Sequence, residues 1–167
     1  MFRQLNDFIF AWTHESEAIL KLMAPITDAS LNQPGTDAHR SIGRAAWHIV
    51  TSITEMMPRC GLKLEGPPFE SPVPATADEI RQGYKVASDS LVEQLRANWN
   101  DDTLLVEDDM YGMQWKRGQT LFILITHQVH HVGQLTILMR QTGLPVAGTK
   151  GPSKDEWDQY GAPPPEV

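Results

Sequence analysis

Four stretches of the chain carry apolar residues three and four apart, the period of an α-helix that buries one face. The first spans residues 2–23, with Leu5, Phe8, Ile9, Trp12, Ile19, Leu22 and Met23 on its stripe and Pro25 closing it. The second spans 41–57: Ser41 stands as N-cap, Ile42, Ala45, Ala46, Ile49, Ile53, Met56 and Met57 follow, and Pro58 and Gly61 end it. The third covers about 76–99, where Thr76 and Glu79 have the spacing of a capping box and Ile80, Tyr84, Ala87, Leu91 and Leu95 form the stripe. The fourth runs over about 118–142, stopped by Gly143 with Pro145 just after.

The segments between read differently. Residues 27–40 are polar, with a turn expected at Pro34-Gly35. Residues 61–75 hold Gly66, Pro67, Pro68, Pro72 and Pro74 and predict an extended connection. Residues 100–117 alternate loosely, and Tyr111–Trp115 reads as a short hairpin. The Gly- and Pro-rich tail 144–167 ends in Ala-Pro-Pro-Pro-Glu-Val. Together these predict an all-α fold, a four-helix bundle whose long connections leave room for a crossover. The division expected is a bundle over 1–150 and a tail, 151–167, that packs on it or is partly disordered.

Composition narrows the function classes. At 167 residues, 41% apolar and 21% charged, the chain fits one globular domain with a sizeable core. Its net charge of −7 and the lack of a Lys/Arg cluster speak against nucleic acid and anionic membrane as partners. Cys60 is the single cysteine, so an intramolecular disulfide and a cysteine zinc ribbon are excluded. The start, Met-Phe-Arg-Gln-Leu-Asn-Asp, does not resemble a secretory signal, and no apolar run approaches a membrane span; a cytoplasmic protein is expected.

The chemistry concentrates in the fourth helix, in Thr126-His-Gln-Val-His-His-Val-Gly-Gln-Leu135. His127 and His131 are four apart, so their rings leave one side of the helix about 6 Å apart along its axis. Thr120, Leu124, His127, His131, Gln134, Leu135 and Leu138 share the face expected to point inward. Buried imidazole nitrogens need partners, and a shared metal ion would serve both rings. His48, in the middle of the second helix, is the best third ligand. Three imidazoles leave coordination positions open, the catalytic rather than the structural pattern. Zinc suits the set, while nickel, iron and manganese also accept imidazole. His130 falls to the outer side.

Other readings stand beside this one. Histidines at i, i+4 also arise as ordinary surface or core pairs, and His48 alone reads as a satisfied core or rim residue. Glu55, seven after His48, could orient a ligand or act as a base, or could be a solvated carboxylate. Gln134 could bond a ligand ring or bound solvent. Thr51 and Ser52 stand within hydrogen-bonding reach of His48 along the helix. Cys60 has no evident base beside it. His14 and His39 read as solvated, and the five tryptophans as packing residues. A di-iron carboxylate bundle fits poorly, because no histidine has a Glu three residues before it.

The block from His127 to Leu135, continuing through Arg140, Gly143-Leu-Pro145 and Gly151-Pro-Ser-Lys-Asp-Glu-Trp157, resembles the C-terminal half of the DinB-like (DinB/YfiT) superfamily. His48 matches the place of that family's first metal histidine. The resemblance implies an up-down-down-up four-helix bundle holding a divalent ion on His48, His127 and His131, and commonly a homodimer. It also implies, for some members, thiol-dependent transfer or isomerisation of a small molecule with a low-molecular-weight thiol. Val132 departs from the family pattern, which often has arginine there. Two functions are therefore expected: a metal-dependent thiol S-transferase or hydrolase, or a non-catalytic metal-binding stress-response or dimerisation module.

Overall fold

The computed structural model describes residues 1–33 and 40–164. It is mostly helical: α1 (Leu5–Met23), α2 (Ile42–Met56), α3 (Ala77–Asn98) and α4 (Arg117–Gln141), with one hairpin of β1 (Glu107–Met110) and β2 (Met113–Lys116). Short 3₁₀ turns stand at Asp28–Ser30, Met57–Cys60, Asp102–Leu105 and Lys154–Tyr160. The expected Pro34-Gly35 turn and His39 lie outside the described residues.

Local chemistry sets the helix ends. The Ser41 hydroxyl accepts from Arg44 N at 3.2 Å. Thr76 and Glu79 form the reciprocal capping box that their spacing predicts. α1 begins at Leu5, the first residue of its apolar stripe, three residues after the expected start at residue 2, and Phe2 is used elsewhere: its backbone N donates to Gly118 O at 3.2 Å.

That bond places the starts of α1 and α4 side by side. α3 runs against α1, where Trp12 Nε1 donates to Ser88 Oγ at 2.9 Å, and the segments just beyond the two helices add Leu5 N to Asp101 Oδ1 at 2.8 Å and Arg81 to Ile26 O at 3.2 Å. α2 lies along α4, where the Gln128 amide donates to Ile49 O at 3.0 Å and to Ser52 Oγ at 2.8 Å. The core fills the space between them with Phe8, Trp12, Ile19, Leu22, Ile49, Ile53, Tyr84, Leu91, Leu124 and Leu135, all fully buried.

The hairpin is longer than Tyr111–Trp115. Met110 pairs with Met113, leaving Tyr111 and Gly112 as a two-residue loop with φ of 60° and 82°. Both values are positive, as a type I′ turn requires. Tyrosine is uncommon in that region. It is held by its hydroxyl, which donates to Glu55 Oε1 at 2.9 Å, and by the Arg59 guanidinium 4.5 Å above its ring.

Past α4 the chain turns back toward α1. Lys150 pairs with Glu15, a carboxylate only 1% exposed inside the core stripe of α1. Glu156 pairs with Lys21 at 2.7 Å and accepts from the backbone N of Gly148 and of Ser153, each at 2.9 Å. No helix among the described residues is long and apolar enough to cross a membrane.

At Gly118 the segment before α1 crosses the start of α4. A Cβ there would stand 2.4 Å from Phe2 O, a backbone atom with no room to retreat. Gly118→Ala is expected to lower stability by about 1–3 kcal/mol, the usual cost of overpacking, read as an earlier urea-unfolding midpoint with unchanged m.

Candidate metal centre

His48 from α2 and His127 and His131 from α4 converge: one ring nitrogen from each lies within 4.8 Å of the others. The ring centroids stand 4.3 Å (His48–His131), 4.4 Å (His127–His131) and 5.3 Å (His48–His127) apart. His131 is buried, while His48 and His127 are half-buried, so the cluster has one side toward solvent.

The face of α4 that is buried differs from the one expected. Gly118, Thr120, Leu121, Leu124, Gln128, His131, Val132, Leu135 and Met139 point inward, whereas Gln134 is exposed and His127 and Leu138 half-exposed. The histidine pair therefore lies on the edge of the buried stripe rather than at its centre. Gln128, which sequence reasoning passed over, takes the central place and ties α2 to α4. Its spacing of four from both Leu124 and Val132, and seven from Leu121 and Leu135, was the available signal.

Hydrogen bonds set the ring orientations. His131 Nδ1 donates to Gln134 Oε1 at 2.8 Å, and the Gln134 amide nitrogen donates to His130 Nε2 at 3.1 Å. With its proton on Nδ1, neutral His131 presents a bare Nε2 to the cluster. That atom lies 3.0 Å from His48 Nε2. Two imidazole nitrogens on one ion, each at about 2.0–2.1 Å, stand roughly 3 Å apart when the bonds are near a right angle. The donor set thus fits a divalent cation, and Gln134 supplies the outer hydrogen bond that commonly orients a metal-binding ring.

Electrostatics also favour neutral rings. Burial, then the positive charge of Arg40 and the neighbouring histidines, pushes His48 down to about 4. Burial, followed by the His130 and Arg40 charges, lowers His127. Burial lowers His131 against the opposing Gln134 hydrogen bond. Neutral imidazole is the form that binds metal.

The other candidates do not join the cluster. Glu55 accepts from Tyr111 at the hairpin tip. Thr51 bonds Trp47 O, and Ser52 bonds Ile49 O and Gln128, so neither reaches His48. Cys60 is fully buried 3.8 Å from Met110 Sδ, and burial with the nearby Asp108 charge pushes its thiol up to about 12. It is not a nucleophile in this state. His14 is exposed and packs on Phe10. Trp12, Trp47 and Trp99 are buried in the core.

Comparison with known proteins fixes the family. A family model described as "DinB family" matches residues 1–166. The chain belongs to the DinB family. It is 40% identical over all 167 residues to the uncharacterized Bacillus subtilis protein YrdA, covering the whole of both chains. A DinB-like protein from Bacillus cereus, known from a crystal structure, is 40% identical, with 89% of this chain and 99% of that one aligned at a TM-score of 0.84. A second DinB-like crystal structure, YjoA from Bacillus subtilis, shares the fold at 17% identity, with 83% and 96% covered and a TM-score of 0.64. The mostly helical architecture is thus that of DinB-like proteins.

The lowered ring affinities have a consequence for this DinB chain without metal. Between the ordinary histidine value of 6.5 and about 4, the unfolded chain takes up a proton at residue 48 that the folded chain refuses. The unfolded state binds more protons there, so stability rises with pH across that window. Chelator-treated protein is expected to lose stability as pH falls from 6.5 toward 4, and His48→Phe to flatten that slope, checked by urea unfolding at stepped pH.

Proposed function

We propose that the chain holds one divalent ion on His48, His127 and His131, and that it is a metal-dependent enzyme acting on a small molecule by thiol S-transfer or hydrolysis. The observation that carries this reading is the meeting of three neutral, partly desolvated imidazoles from two helices, with one side left toward solvent. Zinc or nickel suits the three-nitrogen set best, and iron or manganese would also be accepted. In the same reading the four helices form an up-down-down-up bundle and the protein works in the cytoplasm, with a low-molecular-weight thiol as co-substrate.

A divalent ion in this position would act as a Lewis acid, making a water or thiol nucleophilic near neutral pH. The chain's own residues have separate tasks. His48, His127 and His131 donate lone pairs. Gln134 holds His131 in the required tautomer and steadies His130. Arg40 adds positive charge that all three rings feel, which disfavours their protonation.

A non-catalytic module, in which the ion mainly ties α2 to α4, is the second reading. The buried Gln128 bridge bears against it, because that tie already exists without metal. The two readings differ in thermal melting with and without chelator. The enzyme reading expects a modest change in melting temperature, together with turnover of an electrophile by metal-loaded protein in a screen of small thiols. The module reading expects a large drop and no turnover.

The ligand assignment has its own test. His127→Ala is expected to lose stoichiometric metal, and His130→Ala to keep it, by elemental analysis after dialysis. Full retention by the His127 variant would refute the assignment.

A further inference from the structure

The turn after α2, the last turns of α3 and the start of α4 border an open cavity of about 400 Å³. Gly61, Lys63, Gln94, Asn98, Trp99 and Arg117 line it. Ten residues of α4, roughly 15 Å of helix, separate Arg117 from His127, so this cavity is distinct from the histidine cluster. Its charged lining groups, Lys63 and Arg117, are both cations, in a chain of net charge −7.

We propose that this cavity binds the carboxylate of a small organic acid, held between the Arg117 guanidinium and the Lys63 ammonium. Arg117 has donors beyond those its ion pair uses. A guanidinium carries five N–H groups in one fixed plane. Asp108 takes one edge of it, accepting from Nε at 2.8 Å and from Nη2 at 3.1 Å. Nη1 and the second Nη2 hydrogen bond nothing else among the described residues, and together they form an end-on fork that a second carboxylate accepts in bidentate fashion. Nη2 stands 3.9 Å from where a Cβ on Gly61 would be, which sets that end of the group at the cavity wall.

The fork is held in place before any ligand arrives. Asp108 fixes one edge, and the Trp99 ring lies under the guanidinium, 4.8 Å from its carbon to the ring centre. A donor group ordered in advance loses little freedom on binding. The polar remainder of the ligand has partners too. Asn98 Nδ2 donates to Gln94 Oε1 at 3.1 Å, which leaves the Gln94 amide hydrogens and Asn98 Oδ1 available.

Charge selects the ligand class. Asp108 offsets Arg117, so the sign of the cavity rests on Lys63, which is exposed and pairs with no carboxylate among the described residues. α4 starts at Arg117 with neither a capping side chain nor an acidic residue in its first turn, and the field of its N-terminus adds to the same sign. One net cation matches one carboxylate. A phosphate monoester brings about 1.5 to 2 negative charges near neutral pH, more than the cavity balances. The site does not involve the histidines, so it stands whether or not they hold metal.

The test is an amide-resolved NMR titration of the full chain with N-acetylglycine, a monocarboxylate, and with N-acetylglycinamide as its uncharged counterpart. N-acetylglycine at millimolar concentration is expected to give saturable shifts at the Gly61 and Lys63 amides and at the Trp99 indole N–H, and the uncharged compound none. Lys63→Met is expected to weaken that binding roughly tenfold, the usual weight of a hydrogen bond to a charged group, and Lys63→Arg to restore it. His127→Ala is expected to leave it unchanged, which separates this site from the metal reading. Absence of saturable shifts with N-acetylglycine would overturn the proposal. So would equal affinity in the Lys63→Met chain, tighter binding of inorganic phosphate than of N-acetylglycine, or shifts confined to the histidine cluster.

Discussion

The architecture around the candidate site answers one constraint: imidazole nitrogens drawn out of water must find something to bind. α2 and α4 press together along a seam whose middle is polar, and its amide and imidazole groups are met in different ways, while Gln128 Oε1 is buried without a hydrogen-bond partner. Gln128 donates both amide hydrogens across the seam. His131 spends Nδ1 on Gln134, and its remaining nitrogen faces His48 at 3.0 Å. Three rings crowded in this way resist protonation, because a charge on any one would be poorly solvated and close to Arg40. What is left is one ring nitrogen from each of three histidines, all within 4.8 Å of one another, a donor set of the kind that divalent cations accept.

The rest of the fold supports that seam. The Phe2–Gly118 contact fixes the start of α4 beside α1, and the Arg117–Asp108 pair, 2.8 Å between Nε and Oδ2, anchors it to the hairpin. Arg117 also lies over Trp99, 4.8 Å from the ring centre. At the other end, the segment after α4 is tied back to α1 through Lys150 and Glu156. α4 is therefore located at both ends by contacts that do not involve the histidines, and the cluster inherits its geometry from the scaffold.

Much of this was legible in the sequence, for identifiable reasons. Apolar residues at helical spacing located all four α-helices, and cap chemistry at Ser41 and Thr76 located two of their starts. The i, i+4 histidine pair carries its geometry in its spacing, and His48 was found because it lies mid-helix among apolar neighbours. Gln134 beside His131 was legible for the same reason. The hairpin was legible only at its tip. β1 is Glu-Asp-Asp-Met, with little strand propensity, and its pairing comes from the Tyr111–Gly112 turn and from Arg117 neutralising Asp108. Glu15 was missed because its partner, Lys150, is 135 residues away and no local pattern links them. The buried face of α4 was placed too close to the histidines, because a helix apolar on several sides gives its period little contrast.

Zinc-loaded protein studied by X-ray absorption at the zinc edge gives the most direct test of the account. Three imidazole nitrogens at about 2.0–2.1 Å, with one or more oxygen ligands from solvent, is the result expected. One zinc per chain bound without the imidazole scattering pattern, or a chain that takes up no zinc from a stoichiometric solution, would contradict it.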